Sequence, residues 1–405
     1  MVMFIRIDFE IRIGVIMDFE KIILIVVLCL FFASRVSGAQ ILSDEEDLEL
    51  ERQLKLINKP PVKSIQTKFG HIVDCIDINK QATFDHPLLK DHKIQRMPGF
   101  LRRATKKVDP SQARPSVIGL AKGACPLGTV PIRRATKKDL KKSKLLLNNI
   151  HPQNEAPPGS YRASIEMKNT TRYFGVEGSM TVNNPQLKEG ESYAQLYIYQ
   201  GEGRNRNSIA TGWMVDPILY NDKSSHFFAA WTSTGFESTG CFNTFCPGFV
   251  QIHKTVYLGS PLTVGSVAGK PIFLGLSIQE DKNHNWWLLF TSAIVENHIV
   301  GYYPAEILFN SEDPRSIGWG GFVAGPPNGA SPPMGSGVLP VSTDASSFEN
   351  IKFRNELNNT IIPIPIHYDI IKDNPKCYEL LNEGYKDDEV EFTFQFGGPG
   401  GQCAN

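Results

Sequence analysis

The sequence predicts a mainly β protein, a sandwich or barrel, preceded by a smaller mixed region of helix and irregular chain. Three observations carry that prediction. After residue 160, short apolar or alternating runs recur between Gly, Asn, Asp and Pro, with no helical periodicity. All five tryptophans, Trp213, Trp231, Trp286, Trp287 and Trp319, fall in this region. Before it, a capped helical stretch and a basic, proline-broken stretch show no such pattern. The chain has 405 residues, 41% hydrophobic and 21% charged, with a formal net charge of zero. It can bury a real core, and no global field points to nucleic acid.

From the start, Ile22 to Ala33 reads IILIVVLCLFFA, followed by Ser37-Gly38-Ala39. An apolar run of about a dozen residues is too short to span a bilayer, which needs roughly 20. Small residues then stand where a signal peptidase reads. Residues 1–39 are expected to be a signal peptide, leaving no membrane segment after cleavage. Residues 43–59 predict one helix. Ser43 and Glu46 form a capping box, Leu50, Leu54 and Ile57 share a face, and Pro60-Pro61 ends it. FGHIVDCIDI (69–78) reads as a strand. The stretch from Lys90 to Lys144 is basic and holds RRATKK twice, at 102–107 and 133–138, which predicts exposed dibasic processing sites or a charged face. HPQNEAPPGS (151–160) reads as a linker. These signals divide the chain into 1–39, 40–150, a linker at 151–160, and 161–405.

Within the last region, YAQLYIYQ (193–200), SIATGWMV (208–215), HFFAAWTS (226–233), GFVQIHKTV (248–256), IFLGLSIQ (272–279), WWLLFTSAIV (286–295) and VGYYP (300–304) read as strands. GGPGG (397–401) lacks the Lys-Ser/Thr of a phosphate loop and reads as a flexible tail. Asp216, Asp222, Glu237, Glu280, Asp281 and Glu312 flank Pro, Gly, Lys or Asn and read as solvated turn residues.

There are seven cysteines, with Cys29 inside the apolar run. The other six, in an exported chain, predict disulfides, and chain neighbourhood favours Cys75–Cys125, Cys241–Cys246 and Cys377–Cys403. No C-x2-C pair or His at ligand spacing supports a metal site, and no cofactor is expected. Asn169 and Asn358 head glycosylation sequons. No H-E-x-x-H and no G-x-S-x-G occurs, so zinc-peptidase and serine-hydrolase readings lose their motifs.

Ordered motifs then carry a resemblance. ATGWMVDPILYND (210–222), AAWTSTGFESTGCFNTFCPGFVQ (229–251), NWWLLF (285–290), VGYYPAEIL (300–308), GWGGFV (318–323) and MGSGVLP (334–340) resemble the neprosin family of plant secreted proteins. VDCIDINKQATFDHPLLKDHKIQ (73–95) and CPLGTVPIRR (125–134) resemble that family's activation segment. The resemblance implies an antiparallel β-sandwich behind a pro-segment at 40–150. It also implies a glutamic endopeptidase cutting after proline, working in acid in the apoplast or vacuole, with two glutamates on adjacent strands holding the attacking water. One glutamate is expected two residues before the Gly of GW, and the other directly after Trp-Gly-Gly. This sequence has Ala210 and Phe322 there.

The sequence therefore predicts a peptidase fold without its acid pair, binding a proline-rich peptide or cell-wall polymer. Trp213, Trp231, Trp319 and Tyr302 are expected to line the groove. Two alternatives accompany that expectation: an active endopeptidase that recruits another acid (Glu202, Glu237 or Glu312), and a structural apoplast protein.

Overall fold

The computed structural model describes residues 45–98, 118–150, 159–168, 172–235, 239–267, 270–292, 295–309, 315–327 and 329–403. The chain divides into two units, 1–53 and 54–405. In the first, the described residues are helical, with Arg52 paired to Glu49. Helix α1 covers 45–57, within the span expected from the sequence. The signal peptide, Ser43 of the capping box, the first RRATKK and Asn169 lie outside the described residues.

Residues 54–150 build a three-stranded antiparallel sheet from β1 (Lys63–Gln66), β2 (Ile72–Asp77) and β3 (Thr129–Arg133), followed by α2 (Lys137–Ile150). The chain continues with β4 (Ser160–Met167), β5 (Gly175–Thr181), β6 (Glu191–Gln200) and β7 (Asn207–Val215). A short helix, α3 (Pro217–Tyr220), precedes β8 (His226–Thr232), β9 (Cys241–Phe242) and β10 (Val250–Gln251). Next come β11 (Ser266–Val267), β12 (Lys270–Pro271), β13 (Phe273–Glu280), β14 (Trp286–Ser292), β15 (Val295–Tyr303) and β16 (Arg315–Ala324). The last strands are β17 (Ser346–Arg354), β18 (Thr360–Ile361), β19 (Tyr368–Lys372), β20 (Glu379–Tyr385) and β21 (Phe392–Gly397).

Two antiparallel sheets form the sandwich. One has the order β19-β4-β16-β6-β7-β8-β9. The other runs β10-β15-β14-β13-β5-β17-β21-β20, with β18 paired to β17. Period-two alternation sends Trp213 and Trp319 from the first sheet into the space between them. There Trp213 Nε1 donates to Thr181 O (2.8 Å) and Trp319 Nε1 to Glu177 O (3.0 Å), both on β5. Each indole is buried whole yet keeps its one donor paired.

The three cysteine pairs form as expected, with Cα separations of 5.5 Å (Cys75–Cys125), 5.7 Å (Cys241–Cys246) and 6.0 Å (Cys377–Cys403). Three expectations differ. GFVQIHKTV is a strand only at Val250–Gln251, because His253 Nδ1 accepts from Thr255 N (3.1 Å) and Val256 N (2.9 Å) and turns the chain. GGPGG is no free tail: Gly398 and Gly401 bridge to Met334 and Ser331. Gly400 adopts φ +69° where a Cβ would stand 2.3 Å from Ser331 O, so only glycine fits. The second RRATKK is exposed only in part: Arg133 and Ala135 are buried, while Thr136 and Lys138 are exposed. Arg133, 6% exposed, ends β3 and pairs with Asp139 (2.9 Å) over the Tyr220 and Phe245 rings. An arginine sheds solvent in this way when a carboxylate and aromatic faces replace its water.

Candidate functional site

The site expected from the sequence belongs to the outer face of the seven-stranded sheet. Pairing registers define that face. Glu166 (β4), Gly318 (β16), Tyr197 (β6), Ala210 (β7) and Ala230 (β8) lie in one row. Arg162, Phe322, Tyr193, Met214 and His226 form the parallel row four residues along. Ala210 and Phe322 thus share the face, separated by β6 and offset diagonally.

Trp213 and Trp319 do not share it. Each stands three residues from the position it was expected to accompany, and an odd offset on a strand reverses the face. Trp231 likewise packs inward, near Tyr303 of the other sheet, and Gly248 has no Cβ because the Trp231 ring fills that space. Tyr302 belongs to the second sheet. Its hydroxyl accepts from Gln95 N (3.0 Å) and meets His92 Nε2 (2.8 Å), both from the segment before the sandwich, and burial pushes the phenol up to about 12. The groove expectation is corrected accordingly: none of these four aromatics lines the Ala210–Phe322 face.

Other aromatics do. Phe322 is 4% exposed and stacks on Tyr193 with centroids 5.5 Å apart and planes at 4°. It also meets Tyr197 edge-on at 5.9 Å. Room for this comes from Gly318 and Gly320, which carry no side chains on the same face of β16. A Cβ on Gly318 would stand 2.5 Å from Tyr197 Cζ and Oη, so the tyrosine ring lies directly over that glycine. Tyr197 thereby reaches across β16 to Glu166 on β4.

Glu166 was not recognised in the sequence. Its carboxylate accepts from Tyr197 Oη (2.9 Å) and Tyr199 Oη (2.6 Å). Burial, reinforced by the Glu166 charge, raises both phenols, Tyr199 to about 12. They remain protonated donors across the ordinary pH range. Arg206 stacks over the Tyr199 ring at 4.3 Å. The signal for Glu166 was the alternation in SYRASIEM, which β4 follows. The acids weighed from the sequence fare differently: Glu202 is exposed in a turn, and Glu237 and Glu312 lie outside the described residues.

At the Tyr193 end of the face, α2 approaches the sheet. Lys142 Nζ lies 3.5 Å from Glu191 Oε2 and 3.5 Å from Asp216 Oδ2. Asp216 is not a solvated turn residue. It is buried and caps α3, its Oδ1 accepting from Ile218 N (2.8 Å) and Leu219 N (2.9 Å). Glu280 and Asp281 are buried too, Glu280 on Arg315 (2.5 Å) and Asp281 on Trp287 Nε1 (2.8 Å). Asp222 partners His226 (3.0 Å). In each case a polar partner replaces the water that an acid in a turn would otherwise require.

Asn358 is exposed and has φ +59°, in the turn between β17 and β18. Among the described residues no group of three or more His, Cys, Asp or Glu side chains could hold a metal ion, and no helix is long and apolar enough to cross a membrane.

The neprosin profile matches residues 188–399, over half of the chain, and the neprosin activation peptide profile matches 64–197. The chain belongs to the neprosin family. The activation-peptide match runs past the linker through β4 and β5 and into β6, so it takes in strands of both sheets and overlaps the neprosin match at residues 188–197. Two solved structures of scytalido-glutamic peptidase, with a transition-state analog inhibitor and with a peptide-based transition-state analog, are similar to this neprosin-family chain at 6% and 8% identity. Their TM-scores are 0.33 and 0.32; each covers 59% of this chain, and 97% and 98% of the peptidase. A third, SCP-B of the eqolisin family with the tripeptide Ala-Ile-His, has 6% identity, TM-score 0.31, and covers 59% and 97% of the two chains.

Proposed function

We propose that this neprosin-family protein is secreted, has lost acid-pair hydrolysis, and binds a proline-rich peptide or wall polymer on the outer face of its seven-stranded sheet. The observation that carries the reading is the pair Ala210 and Phe322. A methyl and a phenyl cannot ionise or hold a proton, and paired-acid hydrolysis needs one carboxylate ionised and one protonated. The Phe322 ring, stacked on Tyr193, also fills space that an attacking water would need. Three disulfides accord with export to an oxidising compartment.

Glu166 favours a second reading, hydrolysis by a single carboxylate assisted by Tyr197 and Tyr199. A lone positioned acid or base typically contributes about 10²–10⁴-fold. One experiment separates the two. Protein freed of its activation segment is incubated with a proline-containing peptide at about pH 4.5, where carboxyls titrate, and binding and product are both followed. Saturable binding without product supports the first reading. Cleavage that disappears in Glu166→Gln establishes the second. Neither binding nor cleavage defeats both and leaves a structural role.

A further inference from the structure

Beside the aromatic shelf, two carboxylates are withdrawn from solvent: Glu191 is 2% exposed and Asp216 0%. Buried acids normally find donors. Asp216 Oδ1 has two, the backbone amides of α3. Asp216 Oδ2 is buried with no hydrogen-bond partner among the described residues. The Lys142 ammonium stands 3.5 Å from both carboxylates. Lys142 comes from α2, inside the activation-peptide match alone, the Asp216 turn lies inside the neprosin match alone, and Glu191 at the start of β6 lies where the two matches overlap.

Arg133 is engaged with Asp139. Glu191 bears on the buried Tyr193 phenol, whose ionisation it opposes after burial itself, and Asp216 bears on Tyr220 in the same sense. Neither phenol neutralises a carboxylate. The lysine is thus a counter-charge shared by both acids, and it comes from α2, inside the activation-peptide match.

From this geometry we propose that Glu191 and Asp216 form a primary-ammonium subsite at the end of the sheet face, occupied by Lys142 in the full chain and open to a lysine side chain of a bound peptide once α2 leaves. The inference rests on the peptide-binding reading for its ligand, but its chemistry is testable without it. An aliphatic stem ending in a compact cation fits the observed occupant. A guanidinium would have to be held by two acids on different elements, where no bidentate carboxylate fork is presented.

The test is chemical rescue in the full chain. Lys142→Ala should lower the thermal midpoint by about 5 °C or more, because two buried charges lose their counter-ion. Propylammonium should restore it, while sodium chloride and propanol at the same concentration should not. Adding Glu191→Gln and Asp216→Asn, which keeps the α3 cap, should raise the midpoint and abolish the rescue. If Lys142→Ala does not fold, Lys142→Met retains the stem and takes its place. An unchanged midpoint, or equal rescue by salt or alcohol, overturns the subsite.

A second arm presents the Lys142→Ala protein with a proline-rich peptide carrying one lysine, and with its norleucine analogue. Tighter binding of the lysine peptide, by about tenfold, is expected and should vanish in the acid variants. Equal affinities overturn the subsite while peptide binding stands. Rescue by propylammonium with no binding of either peptide overturns peptide binding and leaves the ammonium site.

Discussion

Replacing Phe322 by alanine should cost about 4 kcal/mol of stability. Truncating a buried Phe typically costs about 3–5 kcal/mol, with the higher values where the surroundings cannot collapse. Collapse is hindered here. The flanking Gly318 and Gly320 have no side chains to move inward, and Tyr197 is held on Glu166 by its hydroxyl. The stack on Tyr193 and the edge contact with Tyr197 are also lost, each worth about 0.5–1.5 kcal/mol within that total. At about 2 °C per kcal/mol for a chain of this size, the thermal midpoint should fall by about 8 °C. Scanning fluorimetry reads this directly, with near-UV circular dichroism reporting the tyrosine environment. Phe322→Leu should lose less than half as much. Phe322→Glu places a carboxyl in an apolar site, so its folded pKa rises above the unfolded value of about 4.3. Its deficit should therefore be smallest below that value and grow as pH rises through it. A shift below about 2 °C for Phe322→Ala, or a Phe322→Glu deficit that does not vary with pH, would refute the account of Phe322 as a packed plug.

Gly318→Ala should displace Tyr197 from Glu166 and cost about 1–3 kcal/mol, because the new Cβ meets a fixed ring on one side and Ile165 O at 2.9 Å on the other; thermal unfolding checks it. Asp139→Ala leaves the buried Arg133 guanidinium without its carboxylate and should cost about 3 kcal/mol, read as faster proteolysis of residues 118–150 than of the sandwich. Burial, then the charges of Arg133 and His226, lowers His71 to about 4, and burial with His298 and Lys254 lowers His253 to about 4. Both rings are neutral in the folded chain where the unfolded chain, near 6.5, already binds protons. Stability should be level above about pH 7 and fall as pH drops from about 6.5 toward 4; a midpoint that holds constant across that window contradicts the burial of these rings.

Much of the architecture was legible in the sequence because it depends on local pattern. Alternating runs such as YAQLYIYQ and SIATGWMV became β6 and β7, and each cysteine paired with its neighbour along the chain. The face of each strand is also legible, by the parity of the spacing along it. Trp213 follows Ala210 by three, and Trp319 precedes Phe322 by three, so neither indole could line a groove with those positions. What the sequence could not supply was burial of charge. Asp216 and Glu280 stand in turn-like contexts, and only the fold brings Lys142 or Arg315 to them. Glu166 was hidden for a related reason. Its partners Tyr197 and Tyr199 lie on β6, which joins β4 only through β16, a strand that arrives some 150 residues later.

The bond between Cys75 and Cys125 has a consequence for maturation. The first RRATKK, at 102–107, falls inside the loop of sequence that this bond closes, and the second falls beyond it. A protease cutting at the first hexapeptide would nick the segment without freeing either piece, and the two would part only on reduction. A cut between 138 and 160 would instead leave no covalent tie to the sandwich, since the other two bridges join cysteines that both lie downstream. The cystine thus decides which scission is silent and which one liberates the remainder.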